Sequence, residues 1–229
     1  TVPLRPALVP LIVDNENIGL LKGLDVKNIR LEIYIKGKKK KQDFGEIGFN
    51  TNGMGGALIL KHSGWIVDQI DKGKDVRIDV DLKPSLSHEK LEQKLLELKV
   101  ERKKDIYKNA LRSLLPPPWV DYFLSNLGLQ GDSLMENMTK VERKQIKLML
   151  KCVSLPIKGY RKLSEGIVTQ GGVHLSEINP KTFQCKSFAN LYLAGEVLDL
   201  HAETGGYNIQ AAFTGGALSA RDIAKRVIS

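Results

Sequence analysis

The sequence predicts a mixed α+β or α/β protein, because three stretches of its 229 residues differ in pattern. Residues 1–85 contain runs with an apolar residue at every second position, which is typical of strands with one buried face. Residues 86–150 carry leucines at helical spacing between charged side chains. Residues 151–229 combine short strand-like runs with a long run of small residues. We therefore expect a β-rich domain, a helical domain and a mixed C-terminal segment with these boundaries.

The β-rich stretch is defined by three strand-like segments. In "VKNIRLEIYIKG", Ile29, Leu31, Ile33 and Ile35 alternate with polar residues. The segment "DFGEIGF" follows as a return strand before a glycine-rich turn, and "VRIDVDLKP" alternates again before a proline ends it. These patterns predict a small antiparallel sheet or barrel. The lysine run at 37–42 lies between two strands and is expected to be a solvated hairpin tip.

The helical stretch contains signals for four helices. Ser87 precedes the first helix as an N-cap residue, and a second helix runs up to three prolines at 116–118. Pro118 fits the first turn of a third helix, where its missing amide hydrogen costs nothing. Thr139 and Glu142 have the spacing of a capping box before a fourth helix.

The C-terminal stretch is expected to hold strands and one long helix. "GIVTQGGVHLSEI" suggests a strand, a glycine turn and a second strand, and "NLYLA" suggests a buried strand. The helix beginning at Gly205 is rich in alanine and glycine, so that another part of the backbone can approach it closely.

Composition and charge narrow the class of protein. No apolar run is long enough for a membrane span, and the first residues do not resemble a secretion signal. Cys152 and Cys185 match no zinc spacing, so we expect no metal site, two reduced thiols and a cytoplasmic location. The net charge is +9, but aromatic residues are not interleaved with the lysines along the sequence. We therefore expect neither a nucleic acid nor a membrane as partner.

One segment, "LYLAGEVLDLHAETGGYNIQ", has the composition of a ligand site. A strand there would bring Gly195, Glu196 and Asp199 to its carboxyl end, and Gly205 and Gly206 would open a helix. Free amides and the positive end of the helix dipole suit an anionic or electron-accepting group, while carboxylates accept from hydroxyls. The alternative is that these residues are turn glycines and surface acids.

Several motifs together resemble the BaiN/YhiN-like family of FAD-dependent oxidoreductases, also described as aminoacetone-oxidase-family flavoproteins. The motifs are "VTQGGV", "LYLAGEVLD" and "GGYNIQ", with "RPALVPL" and "TNGMGGALIL" near the N-terminus. The resemblance implies that 1–85 and 86–150 are two inserted domains. It also implies that 151–229 is the C-terminal part of a two-part Rossmann-like FAD-binding domain.

The resemblance also implies roles for individual residues. Glu196, with Asp199 close behind, would accept from the ribityl hydroxyls, and the amides of Tyr207, Asn208 and Ile209 would face the pyrimidine edge of the flavin. The expected FAD-binding residues are Gly195, Glu196, Val197, Asp199, Gly205, Gly206, Tyr207, Asn208 and Ile209.

The sequence departs from the family pattern in ways that limit the prediction. It lacks the strand–GxGxxG segment that cradles the FAD pyrophosphate, because "GMGGAL" has the wrong spacing. We therefore expect that an N-terminal half of the FAD domain is removed or lies on another polypeptide. Alone, the chain would then bind FAD weakly or not at all. His201 and Glu203 lie in an unusual link, where His201 is either a proton donor or an exposed loop histidine.

The predicted function is the C-terminal portion of an FAD-dependent oxidoreductase. The alternative is a non-catalytic interaction module that awaits a partner polypeptide. The sequence identifies neither the catalytic residues nor the substrate, for which we expect a small molecule.

Overall fold

The computed structural model describes residues 1–228, which form eight strands and six α-helices. The strands are β1 (Val2–Ala7), β2 (Leu11–Val13), β3 (Asp25–Ile35), β4 (Lys38–Asn50), β5 (Gly53–Gly55), β6 (Val76–Asp81), β7 (Val153–Tyr160) and β8 (Val168–Gly172). The helices are α1 (Ala57–Asp71), α2 (His88–Glu101), α3 (Tyr107–Ala110), α4 (Pro117–Leu127), α5 (Lys140–Lys151) and α6 (Gly205–Ile228). The predicted mixture of α and β structure is confirmed.

Two compact units share the chain. One contains residues 11–58 and 72–159, and the other contains 1–10, 59–71 and the chain from 160 onward. The boundaries of these units differ from the predicted domain boundaries at 85 and 150. The first unit, for example, takes strand β7 from beyond 150. The division into 1–85, 86–150 and 151–229 remains a prediction.

The first unit is built on a closed barrel with the strand order β2-β5-β4-β3-β6-β7. Ile29, Leu31, Ile33 and Ile35 all point inward and are at most 5% exposed, as their alternation predicts. The lysine run was predicted less well. The turn is formed by Lys36 and Gly37, and residues 38–41 extend strand β4 instead of forming the tip.

The helices of this unit begin where their caps predict. Ser87 Oγ accepts from the Lys90 amide at 3.2 Å, and Leu91, Leu95 and Leu98 of α2 are buried. Thr139 and Glu142 form the predicted capping box of α5. Trp119 of α4 is fully buried and contacts the Phe49 ring edge-on, with 5.4 Å between centroids, which joins this helix to the barrel.

The second unit contains the two-stranded antiparallel sheet β1-β8 and the helices α1 and α6. Two strands predicted here do not form. After β8 the chain enters a short 3₁₀ turn at Leu175–Glu177, because Gly171 and Gly172 have φ of +95° and +110° and turn the backbone away. The segment "NLYLA" makes only a single bridge, between Tyr192 and Gln184, and therefore lacks the partner strand that would bury it.

Helix α1 was not predicted. Its apolar residues follow a helical period in "ALILKHSGWIVDQID", but the surrounding strand patterns assigned this stretch to the β-rich region. His62 lies inside this helix and is buried.

Candidate functional site

The segment that begins at Gly195 forms a 3₁₀ turn over Gly195–Val197, not the end of a strand. Gly195 has φ of +79°, which favours glycine. The amide of Val173 donates to the Val197 carbonyl at 2.9 Å, and the amide of Asp199 donates to the Val173 carbonyl at 2.9 Å. These two hydrogen bonds hold the turn beside the residues that follow β8.

The two predicted acids both contact the backbone of β8. The Glu196 carboxylate accepts from the Thr169 amide. The Asp199 carboxylate accepts from the Gly171 amide at 3.0 Å. A carboxylate has about four acceptor positions, so each retains capacity for further donors. Glu196 is exposed and Asp199 is half-buried, which makes Glu196 the more accessible acceptor.

The first turn of α6 is open at the position the sequence predicts. A Cβ atom at Gly205 or Gly206 would meet no described atom within 4 Å. Asn208 joins the turn to the preceding loop, because its side chain accepts from the Ala202 amide at 2.9 Å and donates to the Thr204 carbonyl at 2.8 Å. The first amides of an α-helix have no partner within the helix, and the dipole adds partial positive charge there.

Apolar side chains are exposed beside these amides. Tyr207 is 70% exposed and Ile209 is 60% exposed, and Phe213 one turn further is 73% exposed. Residues this apolar and this exposed on one helix are typical of a surface that contacts a ligand or another part of a protein.

A cleft of about 610 Å³ lies at Glu196. Its lining combines the exposed carboxylate with apolar residues of β1, and it consists of Thr1, Val2, Pro3, Leu4, Thr169, Gly172, Val173, Glu196 and Val197. The contribution of β1 to the cleft was not predicted, because pairing between β1 and β8 joins residues far apart in the sequence. None of the described residues lining this cleft belongs to the first turn of α6.

The small residues of α6 do permit close packing. A Cβ atom at Gly215 would lie 2.9 Å from both Ala194 and the Phe183 ring, and one at Gly195 would lie 3.4 Å from Ala212. The turn carrying Glu196 therefore packs directly on α6, as the composition of this helix predicts.

His201 is exposed and lies in a different place from Glu196. It lines a small pocket of about 130 Å³ together with Lys61, Trp65 and Glu203. Neither Glu196 nor Asp199 lines the pocket that contains His201.

Both cysteines are free thiols, with Cys152 exposed and Cys185 buried. Among residues 1–228, no group of His, Cys, Asp and Glu is arranged to hold a metal ion. The described helices include none with the length and apolar character that crossing a membrane requires.

Comparisons with known proteins agree with the resemblance inferred from the motifs. Residues 5–168 match the model of the family described as HI0933-like protein barrel and H2TH domain. A ribosomal RNA dihydrouridine synthase of Haemophilus influenzae is 27% identical over 98% of this chain and 53% of its own length. A 3-dehydro-bile acid delta(4,6)-reductase of Clostridium scindens is 23% identical over 98% and 54%.

A ribosomal RNA dihydrouridine synthase of Escherichia coli is 24% identical, over 97% of this chain and 52% of its own length. The chain therefore spans about half the length of the curated relatives it matches. The predicted family resemblance is confirmed.

Proposed function

Because the chain belongs to the family of HI0933-like proteins with a barrel and H2TH domain, we propose that it contributes to an FAD site in a flavin-dependent oxidoreductase. It would supply the ribityl- and pyrimidine-facing side of that site. One observation carries the proposal: an exposed carboxylate, Glu196, and an open helix start at Gly205 and Gly206 belong to the same compact unit.

The donors and acceptors of this unit fit the groups of FAD. Glu196 would accept hydrogen bonds from ribityl hydroxyls, while Asp199 holds β8 in place through the Gly171 amide. The amides of Tyr207, Asn208 and Ile209 would lie toward the pyrimidine edge, where a helix start stabilises negative charge. Bound FAD in its reduced form would supply a hydride to the substrate.

The names of the relatives support a proposal for the reaction class. A dihydrouridine synthase and a delta(4,6)-reductase both reduce carbon–carbon double bonds. We therefore propose reduction of a conjugated double bond, in which reduced flavin would transfer a hydride to one carbon and a proton from solvent would be added to the other. Uridine in RNA is the favoured substrate, because two of the three relatives act on ribosomal RNA by name and the chain carries a net charge of +9. This departs from the expectation that nucleic acid is not a partner, which stays untested.

The FAD site can be tested by titrating flavin into three variants. Each variant is prepared in this chain and, separately, in the polypeptide that its gene encodes. Glu196→Gln should weaken FAD binding about tenfold, because a neutral amide accepts hydrogen bonds less strongly than a carboxylate. Gly206→Ala should weaken it by at least as much if the flavin approaches this backbone. Gly216→Ala is the matched control on the same helix, since its Cβ would also meet no described atom within 4 Å.

Thermal unfolding of each variant separates binding from folding. We expect all three variants to melt like the parent protein. Equal FAD affinity in all of them would contradict the proposed site. Stoichiometric yellow flavin in the purified 229-residue chain would contradict only the expectation that this chain alone binds FAD weakly. Absence of flavin from both polypeptides would favour the alternative, a non-catalytic interaction module.

A further inference from the structure

The outer surface of the barrel carries basic and aromatic side chains on three adjacent strands, together with the carboxylates of Glu32, Asp79 and Asp81. Asp81 lies 4.0 Å from Arg30. Along β3, the residues between the buried ones point outward, and each faces an outward residue of β4 and of β6. We use the name hairpin face for the basic and aromatic residues of this surface and of the adjoining β3–β4 turn. They are Arg30, Tyr34, Lys36, Lys38, Lys40, Phe44 and Arg77.

Two flat groups on the hairpin face are available for stacking. Phe44 is 58% exposed and pairs with Arg30 across the strands. At the other end, the Arg77 guanidinium lies 4.4 Å from the centroid of the Tyr34 ring. Asp79 fixes the plane of this guanidinium through two hydrogen bonds of 3.0 Å. Four residue steps along β3, from Arg30 to Tyr34, separate the two ends, which corresponds to about 13 Å.

The turn beside these groups concentrates positive charge. Residues 30–46 contain one arginine and five lysines against three acids, a net charge of +3. Lys39 pairs with Glu32 at 3.1 Å. Lys36, Lys38 and Lys40 are exposed, and within the described part of the chain no carboxylate pairs with them. Lys40 is the extra residue of a bulge between the pairs Ile33–Lys41 and Tyr34–Lys39.

We propose that the hairpin face binds single-stranded RNA. The three lysines would contact phosphates, and bases would stack on Phe44 and on the Arg77–Tyr34 pair. Along the sequence, aromatic residues are not interleaved with the lysines, and nucleic acid was therefore not expected as a partner. The barrel instead interleaves aromatic and basic residues across neighbouring strands, which a scan along the chain does not detect. The choice of RNA as the ligand rests on the proposed function. The positions and charges of the residues on the hairpin face do not depend on that proposal.

The test is binding of a fluorescein-labelled 12-nucleotide oligouridylate, followed by anisotropy between 50 and 200 mM salt. The triple variant Lys36→Gln/Lys38→Gln/Lys40→Gln should lower the slope of log K against log salt by about 2, since each phosphate contact contributes about 0.7 for single strands. Phe44→Ala should weaken binding about fivefold to a hundredfold, as base–aromatic stacking contributes about 1–3 kcal/mol. Phe44→Tyr should restore most of it.

The matched control removes three exposed lysines elsewhere in the same unit, as Lys103→Gln/Lys104→Gln/Lys144→Gln. Its salt slope should equal that of the parent protein. An equal loss in both triple variants, or a parent protein that does not bind the oligouridylate, would overturn the proposal. Flavin binding measured on the same samples keeps the two proposals apart. If RNA binds and flavin binds neither to this chain nor to the polypeptide that its gene encodes, the hairpin face stands and the proposed function fails. If flavin binds and RNA does not, only the proposal for the hairpin face fails.

Discussion

Gly172 lies where the turn that carries Glu196 meets the end of β8. Its φ is +110°, and a Cβ atom there would lie 2.4 Å from the Val197 carbonyl oxygen. Gly171 is equally constrained, with φ of +95° and a Cβ position 2.2 Å from the Pro3 carbonyl oxygen. The sequence predicts a glycine turn in "VTQGG". It does not identify the backbones that approach these glycines, because those contacts join distant residues.

Replacement of Gly172 by alanine should destabilise the unit that contains β1 and β8. We expect a loss of about 1–3 kcal/mol, because the new methyl group adds a close contact to an already unfavourable backbone conformation. Gly205→Ala is the comparison, since its Cβ would meet no described atom within 4 Å. Its stability should stay within about 0.5 kcal/mol of the parent protein. Denaturant unfolding of both variants measures the difference, and equal midpoints would refute the close approach.

At the scale of single elements, helix starts were the most predictable feature. Ser87 and the pair Thr139–Glu142 cap the helices they were expected to cap, because a cap depends on residues three positions apart. The strand predicted at "NLYLA" did not form, because a strand needs a partner elsewhere in the chain. In this chain, local sequence therefore predicts helix caps better than it predicts strands.

One ion-pair group joins two of these capped helices and should make stability depend on pH. Glu92 of α2 contacts Lys147 Nζ at 2.7 Å and Arg143 Nε at 2.6 Å, both on α5. Hydrogen bonds from Lys147 and then Arg143 lower the pKa of Glu92 below its ordinary value of 4.5. A carboxyl whose pKa is lowered on folding stabilises the protein above its unfolded pKa. This contribution disappears as the pH falls through the folded value.

Glu92→Gln should therefore cost about 1 kcal/mol or less at pH 7, since solvent screens this pair, and less than that at pH 3, below the ordinary pKa of a glutamate. Glu97→Gln, an exposed position on the same helix, is the control and should show no such pH dependence. Urea unfolding at both pH values gives the comparison. A Glu92→Gln difference that persists unchanged at pH 3 would exclude the ion pairs as its cause.

At the scale of the whole molecule, the barrel and the site differ in how far the sequence could predict them. The alternating run at 29–35 correctly predicted a strand with one buried face, and the motifs predicted the family. Barrel closure could not be predicted, because β7 joins β6 across more than seventy intervening residues, most of them helical. The same long-range pairing brings β1 to β8 and so creates the cleft at Glu196.

The two proposed ligands should protect different units from hydrogen exchange. At a hundredfold excess over its Kd, a ligand stabilises the structure that binds it by about 2.7 kcal/mol. FAD should slow amide exchange in 168–172 and 195–209, because the proposed contacts lie there. Oligouridylate should slow exchange in 30–46 instead. Mass spectrometry of peptides from each sample measures both effects. FAD protection confined to 30–46 would contradict the assignment of flavin to the unit that holds Glu196, since that segment belongs to the barrel.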